Sequence, residues 1–124
     1  MRVLLSIKPE FVEKIFNGEK KYEYRKLVFK NKDIDTIVVY STMPEGKIVG
    51  EFKIEGILQD KPDQIWSKTK KHSGISRIFF DKYFENHNNG YAIKIGKVTQ
   101  YEIPIDPRFD NKLFKAPQSF CYIE

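Results

Sequence analysis

Runs of apolar residues divide the chain into short strands with helical segments between them. Val3 to Ile7 is a short apolar run, which is typical of a strand buried on both faces. Thr36 to Tyr40 is β-branched and apolar and predicts a central strand. In Lys47 to Leu58, apolar residues and glycines alternate with mostly charged residues, which predicts a strand that bends at Gly50 and Gly56.

Further extended segments follow from the same patterns, and Gly96-Lys97 is predicted to be a turn between two of them. These segments are Lys20 to Phe29, Tyr91 to Ile95, Val98 to Ile105 and Ser119 to Ile123.

Three helices are predicted between the strands. Pro9 to Asn17 carries one apolar stripe and is closed by Gly18. A second helix begins with Pro62 and ends near His72, and a third runs from a cap at Ser76 to about Asn86. Because the strands form a meander rather than repeated strand–helix units, we predict an α+β fold in a single domain over residues 1–124. Its form is a small mixed β-barrel of about six strands with about three peripheral helices.

Composition narrows the classes of function. The 124 residues carry 22 basic and 17 acidic side chains, and the net charge of +5 is a mild bias toward anionic partners such as nucleic acid. A lone cysteine, Cys121, excludes a disulfide within the chain and, with two histidines, argues against a zinc site, so we expect neither a metal nor a cofactor. The cysteine usage and the absence of a signal-like or membrane-spanning run predict a cytoplasmic protein with no membrane partner.

Gly18 to Arg25 places charged and aromatic residues directly after a helix end. Strand alternation assigns them to two faces, with Lys21, Glu23 and Arg25 on one face and Lys20, Tyr22 and Tyr24 on the other. To join Glu23 and Arg25, Lys20 must therefore lie before the regular strand begins or on a bulge. The alternative is a solvated edge strand with compensating charges.

The chemistry of these side chains suits a nucleotide-like ligand. Arg25 offers a planar fork for phosphate, and Lys20 offers a mobile point charge. Glu23 can orient Arg25 or accept hydrogen bonds from a base edge. Lys8 adds a cation at the N-terminus of the first helix, where backbone N–H groups already favour anions.

Other candidates lie at strand ends and in loops. They are Tyr40, Ser41 and Thr42 after the central strand, Ser73 and Gly74 between two helices, and Gln118 and Ser119 in the final segment. For each of them packing, capping or a plain connection is the alternative.

The pattern Gly18-x-Lys20-x-x-Glu23-x-Arg25 resembles that of the ASCH domain, a member of the PUA-like superfamily. The resemblance covers nearly the whole chain through Leu5 to Phe11, Val39 to Thr42 and Ile48 to Phe52. Further segments are similar to the subgroup labelled predicted transcriptional regulators, namely Trp66 to Thr69, Ser73 to Ser76, Tyr91 to Ile93 and Pro117 to Phe120. The resemblance implies a PUA-like pseudobarrel with a cleft beside the first helix. It also implies binding of RNA or of a modified nucleotide or nucleoside.

Some small ASCH proteins are hydrolases that deacylate a modified cytidine, and others have been linked to RNA cleavage. The hydrolases use a lysine of this motif, a threonine three residues later and a glutamate from a later strand. Lys20 matches the lysine, Glu23 stands at the threonine position, and Glu51 is favoured over Glu55 for the glutamate. The hydrolase pattern is therefore not intact. We expect Glu23 to pair with Lys20 or Arg25 and to keep Lys20 charged and a poor base.

The sequence thus predicts a domain that binds RNA or a nucleotide-like small molecule in a cleft lined by Lys8, Lys20, Glu23, Arg25 and Ser41. An enzyme is the first alternative, either an amidohydrolase on a modified nucleoside or a ribonuclease, with Lys20 central and Glu51 as its partner. The second alternative is a non-catalytic protein-interaction module, which predicts an exposed apolar patch outside the cleft. The oligomeric state stays open.

Overall fold

A computed structural model describes residues 1–109 and 111–124. Within them it has six strands and three α-helices, as predicted. The strands are β1 (Arg2–Ile7), β2 (Tyr22–Arg25), β3 (Thr36–Ser41), β4 (Lys47–Asp60), β5 (Gly90–Ile105) and β6 (Cys121–Ile123). The helices are α1 (Pro9–Phe16), α2 (Pro62–Thr69) and α3 (Arg77–Tyr83), and a 3₁₀ turn at Lys70–His72 extends α2.

All six strands form one mixed sheet in the order β2-β5-β4-β3-β1-β6. β1 and β3 are parallel, with Leu5 opposite Val39, and the other neighbours are antiparallel. The α+β fold is confirmed, although the sheet is an open pseudobarrel and not a closed barrel. Register shifts between β4 and β5 next to Gly50 and Gly56 agree with the bends predicted there.

The predicted turn at Gly96-Lys97 was wrong, because β5 runs through it without a break. A Cβ atom on Gly96 would lie 2.8 Å from Cγ of Glu55, so the glycine permits a close approach to β4 inside the sheet. The extended segment after α1 is also shorter than predicted, since regular pairing is confined to Tyr22–Arg25.

Three apolar clusters hold the elements together. In the largest cluster, Val12 and Ile15 of α1 pack on one face of the sheet against residues such as Leu5 and Val39. A second cluster joins α2 and α3 to β2 and β5, and Phe80 is fully buried in it. The third cluster lies under Tyr40, on the other face of β1 and β3, so both faces of β1 are buried as predicted.

The end of α1 fixes the start of the charged segment. Gly18 has φ +88°, a conformation that suits glycine at a helix end, and its N–H donates to the carbonyl of Ile15. The N–H of Lys20 then donates to the carbonyl of Lys14, and that of Lys21 donates to the carbonyl of His72. These bonds place Lys20 between α1 and the loop that follows α2.

The described helices include none that is both long and apolar enough to cross a membrane. Among residues 1–109 and 111–124, we also find no group of three or more His, Cys, Asp or Glu side chains arranged to hold a metal ion.

Candidate functional site

A cavity of about 250 Å³ lies between α1, β2 and α3, and we call it the Lys20 cavity. It is lined by Ser6, Ile7, Lys8, Phe11, Lys20, Glu23, Tyr24, Arg25, Ile75, Phe79 and Tyr83. The structure thus brings together the four charged residues that the sequence analysis placed in one cleft. Lys20 lies before β2 begins, which is one of the two placements that strand alternation allowed.

Lys20 is a buried lysine with 2% of its surface exposed. Its Nζ donates to the carbonyl of Ser73 at 2.7 Å and lies 4.8 Å and 5.4 Å from the ring centroids of Tyr24 and Phe11. One N–H group is therefore bonded to the backbone, and the ammonium is otherwise surrounded by aromatic faces.

Burial lowers the pKa of Lys20 from 10.5 to about 8. The field of Glu23 raises the pKa, while Lys14 and Arg25 lower it further, and burial outweighs the carboxylate. Glu23 therefore favours the charged form of Lys20 as expected, but burial outweighs it, so Lys20 is mostly and not wholly charged at neutral pH. A pKa near 8 leaves a minor but reactive fraction of neutral amine at neutral pH.

Glu23 pairs with Arg25 and not with Lys20. Oε2 of Glu23 lies 2.9 Å from Nη2 of Arg25 and accepts from its Nε at 3.1 Å. The guanidinium also donates to the carbonyl of Ser6 at 2.7 Å and to that of Ser119 at 3.4 Å. Arg25 therefore joins β2 to the end of β1 and to the segment before β6, and few of its donors stay open to a ligand.

The second oxygen of this carboxylate has a different environment. Oε1 of Glu23 accepts no hydrogen bond from the described residues. It is not fully buried either, since Oγ of Ser41 is the one described side-chain atom that is both fully buried and unpaired. Since Glu23 is 6% exposed and lines the Lys20 cavity, we infer that this oxygen is an acceptor that faces the cavity. A carboxylate and an ammonium, those of Glu23 and Lys20, thus both line the cavity.

Four aromatic rings complete the wall: Phe11, Tyr24, Phe79 and Tyr83. Phe11 and Phe79 meet edge to face with centroids 5.2 Å apart. The hydroxyl of Tyr24 lies 2.7 Å from Oγ1 of Thr69, which itself donates to the carbonyl of Ile65, so Tyr24 is the donor of this bond. Burial raises the pKa of Tyr24 to about 12, which keeps its hydroxyl neutral.

The loop after α2 contacts Lys20, although Ser73 and Gly74 do not themselves line the Lys20 cavity. Gly74 has φ +69°, and a Cβ atom there would lie 2.5 Å from Cβ of Lys20. Lys14 donates to the carbonyl of Gly74 at 3.2 Å, and the hydroxyl of Ser73 donates to the carbonyl of Ile75. Ser73 and Gly74 therefore contact Lys20 through their backbone, and their role at the site is to hold it.

The strand-end candidates lie elsewhere. Tyr40 is buried in the third apolar cluster, and its hydroxyl accepts from Arg108 at 3.1 Å. Ser41 borders a different cavity, and its buried Oγ has no hydrogen-bond partner among the described residues. Thr42 begins a turn, and its N–H donates to the carbonyl of Ile7 at the end of β1. None of the three lines the Lys20 cavity.

Glu51 is also outside the Lys20 cavity. Its Oε1 accepts from the hydroxyl of Tyr101 at 2.7 Å and lies 3.7 Å from Nη1 of Arg2. The structure does not bring Glu51 together with Lys20. In the final segment, Ser119 reaches the site through the carbonyl that binds Arg25, whereas Gln118 is exposed.

Sequence reasoning missed the aromatic side of the cavity and one lysine beside it. Phe79 and Tyr83 have helical spacing on α3, which predicts packing equally well. Lys26, directly after β2, has its Nζ 4.7 Å from the ring centroid of Tyr83. In the sequence, only the position of Lys26 directly after Arg25 indicated that this lysine could lie near the site.

Comparison with known proteins places this arrangement in a family. The family model described as "ASCH domain" matches residues 5–99, which include α1, the whole charged segment and most of the sheet. The chain belongs to the ASCH domain family. The match confirms the resemblance seen in the motif from Gly18 to Arg25.

Curated relatives of this ASCH domain carry different names. A large ribosomal subunit protein uL22 of Ureaplasma parvum serovar 3 is 31% identical over 98% of this chain, which spans 39% of that relative. An ATP synthase subunit alpha of the same organism is 30% identical, and the chain spans 15% of it. Because each match covers only part of the relative, neither name bears on what this chain does.

One relative is matched over most of its length. An ASCH domain-containing ribonuclease of Zymomonas mobilis is 28% identical over 97% of this chain and 82% of its own length. None of these names refers to transcription, so the subgroup of predicted transcriptional regulators stays a prediction.

Solved structures agree on the fold. The crystal structure of ASCH from Zymomonas mobilis matches with a TM-score of 0.90 at 24% identity, over 99% of this chain and 87% of that chain. A mutant form of the same protein matches with a TM-score of 0.90 at 23% identity, over 99% and 90% of the two chains. At these identities the likeness concerns the fold alone.

Proposed function

We propose that this ASCH domain binds RNA by taking one unpaired nucleobase into the Lys20 cavity. The observation that carries the proposal is the combination, in one cavity, of aromatic rings with an open carboxylate oxygen and a buried ammonium. The ribonuclease name of the Zymomonas mobilis relative supports RNA as the class of nucleic acid.

The aromatic side chains supply the sequence-tolerant part of the affinity. Bases of single-stranded nucleic acid stack on aromatic rings, and each stacked base contributes about 1–3 kcal/mol. Phe79 and Tyr83 are half-buried, so their rings are accessible from the cavity. Phe11, held edge to face against Phe79, keeps that ring in place.

The polar side chains supply the orientation. Oε1 of Glu23 accepts a hydrogen bond from a ring or exocyclic N–H of the base, and Lys20 donates to a ring nitrogen or carbonyl oxygen. Arg25 fixes the carboxylate through Oε2 and leaves Oε1 for the ligand. Every common base has a donor beside an acceptor on its pairing edge, so this pair of groups orients a base without selecting one.

The test is fluorescence anisotropy with a labelled single-stranded oligoribonucleotide. Lys20→Met removes the ammonium but keeps the length of the side chain, and Phe79→Ala removes a stacking face. We expect each variant to weaken binding about tenfold, since each removes an interaction of about 1–2 kcal/mol. Lys21→Met and Ile78→Ala are the matched controls, because both residues are exposed neighbours outside the Lys20 cavity.

Thermal unfolding of every variant checks that the fold is kept. Binding should also weaken steeply between about 50 and 200 mM salt. If Lys20→Met and Phe79→Ala bind as tightly as their controls, or if affinity is flat with salt, base capture in the Lys20 cavity is wrong.

RNA cleavage is the second candidate function, and the lowered pKa of Lys20 favours it. In this scheme neutral Nζ of Lys20 accepts the proton of a ribose 2′-hydroxyl, and the 2′-oxygen bonds to the adjacent phosphorus. The bond from phosphorus to the 5′-oxygen breaks, and this oxygen takes a proton from water. The products are a 2′,3′-cyclic phosphate and a 5′-hydroxyl end.

Cleavage is tested by single-turnover kinetics over pH. We expect the rate to rise up to a pH of about 8 and then level off, because the neutral amine is the base. Lys20→Arg retains the charge but cannot deprotonate, so it should abolish cleavage, and a 2′-O-methylated oligonucleotide should resist it. Cleavage that persists in Lys20→Arg would exclude this role of the lysine.

A further inference from the structure

We propose that Lys8 and Lys26 bind the two phosphates that flank the captured nucleotide, so that the ligand is a nucleotide within an RNA strand and not a free nucleoside. The inference rests on the proposed function, since it takes the base to lie in the Lys20 cavity. It adds two phosphate sites at the mouth of that cavity.

Lys8 and Lys26 each place their ammonium group over an aromatic ring of α3. Phe79 and Tyr83 are one helical turn apart, and both line the Lys20 cavity. Nζ of Lys8 lies 5.0 Å from the ring centroid of Phe79, and Nζ of Lys26 lies 4.7 Å from that of Tyr83. The lysines come from different elements, because Lys8 precedes α1 and Lys26 follows β2.

Neither ammonium is neutralised by the part of the chain that the structure describes. Lys8 and Lys26 are exposed. With the described residues they form no ion pair, and their side chains donate no hydrogen bond. Lys14 and Lys20, by contrast, donate to the carbonyls of Gly74 and Ser73. The two mouth lysines thus differ from their neighbours in having their N–H groups available.

The aromatic contact positions each ammonium without satisfying it. A cation over an exposed ring gains about 0.5–1 kcal/mol, which restricts the side chain but occupies none of its N–H donors. A lysine side chain has donors and no acceptor, and its positive charge favours an anion as the partner of an exposed ammonium. Phosphate oxygens form strong charge-assisted hydrogen bonds of this kind.

The position of the cavity explains why two phosphates are expected. A base stacked on Phe79 and Tyr83 leaves its sugar at the mouth, where the 5′ and 3′ phosphates leave in opposite directions along the strand. Phosphate contacts set the register of a nucleic acid, while base contacts read it. A free nucleoside would leave both ammonium groups without a partner.

Isothermal titration calorimetry with small ligands tests the inference. The probes are a nucleoside, its 5′-monophosphate, its 3′-monophosphate and its 3′,5′-bisphosphate, for each of the four common bases. We expect each phosphate to tighten binding about tenfold, which is the gain typical of one charge-assisted contact. Lys8→Ala and Lys26→Ala should each remove the gain from a different phosphate. Lys32→Ala, an exposed lysine of another loop, is the control and should retain both gains.

The readout is the ratio of bisphosphate to nucleoside affinity. A nucleoside that binds as tightly as its bisphosphate would overturn the phosphate sites while base binding stands. A ratio that is unchanged in Lys8→Ala and Lys26→Ala would overturn the assignment of the two lysines. If neither nucleosides nor bisphosphates nor a single-stranded oligoribonucleotide bind, the proposed function itself fails, and this inference fails with it.

Discussion

The buried ammonium of Lys20 makes the stability of this domain depend on pH in a way that one substitution isolates. Burial lowers the pKa of Lys20 from 10.5 to about 8 in the folded chain. At pH values between about 8 and 10.5, Lys20 is therefore protonated in the unfolded chain and mostly deprotonated in the folded chain. Because the unfolded state binds more protons there, the free energy of unfolding rises with pH over this range.

The size of the effect follows from the same two values. A decrease from 10.5 to about 8 corresponds to about 3 kcal/mol of unfavourable charge burial, which is fully present below pH 8 and is lost as the pH rises to 10.5. In Lys20→Met this contribution is absent at every pH. The difference in unfolding free energy between wild type and Lys20→Met should therefore change by about 3 kcal/mol, in favour of wild type, from about pH 7 to about pH 11.

Urea denaturation at a series of pH values measures this difference by linear extrapolation. Other lysines and the tyrosines titrate in both proteins, so the subtraction removes them. Lys21→Met is the matched control, because it removes an exposed ammonium from the same segment and leaves the buried one in place. Parallel curves for wild type and Lys20→Met would refute the burial argument and, with it, the lysine as a base.

Two further substitutions test the surroundings of the site. Gly74→Ala should lower the free energy of unfolding by about 2 kcal/mol or more, because φ is +69° and the new Cβ meets Cβ of Lys20 at 2.5 Å. Gly56→Ala, in open space within β4, is the control, and an equal loss there would contradict the reasoning. Ser41→Ala should leave the free energy of unfolding unchanged or raise it by up to about 1 kcal/mol, since the buried Oγ has no described partner. A clear loss of stability in thermal unfolding of Ser41→Ala would show that the hydroxyl has a partner after all.

The fold was predictable wherever a local pattern also decided the tertiary contact. The apolar run of β1 and the β-branched run of β3 are buried on both faces, and such runs have few other stable placements. Gly18 and the apolar stripe of α1 fixed the helix and its end. The continuity of β5 was not predictable, because Gly96 adapts to Glu55 on a neighbouring strand that is distant in sequence.

The charged half of the site was predictable for a similar reason. Lys20, Glu23 and Arg25 lie within one short segment, so alternation and the helix end limit where their side chains go. The other half depends on α3 and the loop before it, and Ser73 is 53 residues from the Lys20 that it binds. Phe79 and Tyr83 both pack and line a cavity, and an apolar pattern cannot separate these roles.

The different roles that we propose for Arg25 and for the two lysines depend on which of their N–H donors are already bonded. The sequence indicated Arg25 as a phosphate ligand. Its guanidinium, however, already donates to Glu23, Ser6 and Ser119. A phosphate bound by two N–H groups of Arg25 would have to replace some of these bonds and so loosen the Glu23 carboxylate that Arg25 holds. Lys8 and Lys26 need no such exchange, because their ammonium groups contact only aromatic faces in the described structure. The geometry therefore favours Arg25 as the residue that positions Glu23 for the base, and the mouth lysines as the phosphate ligands.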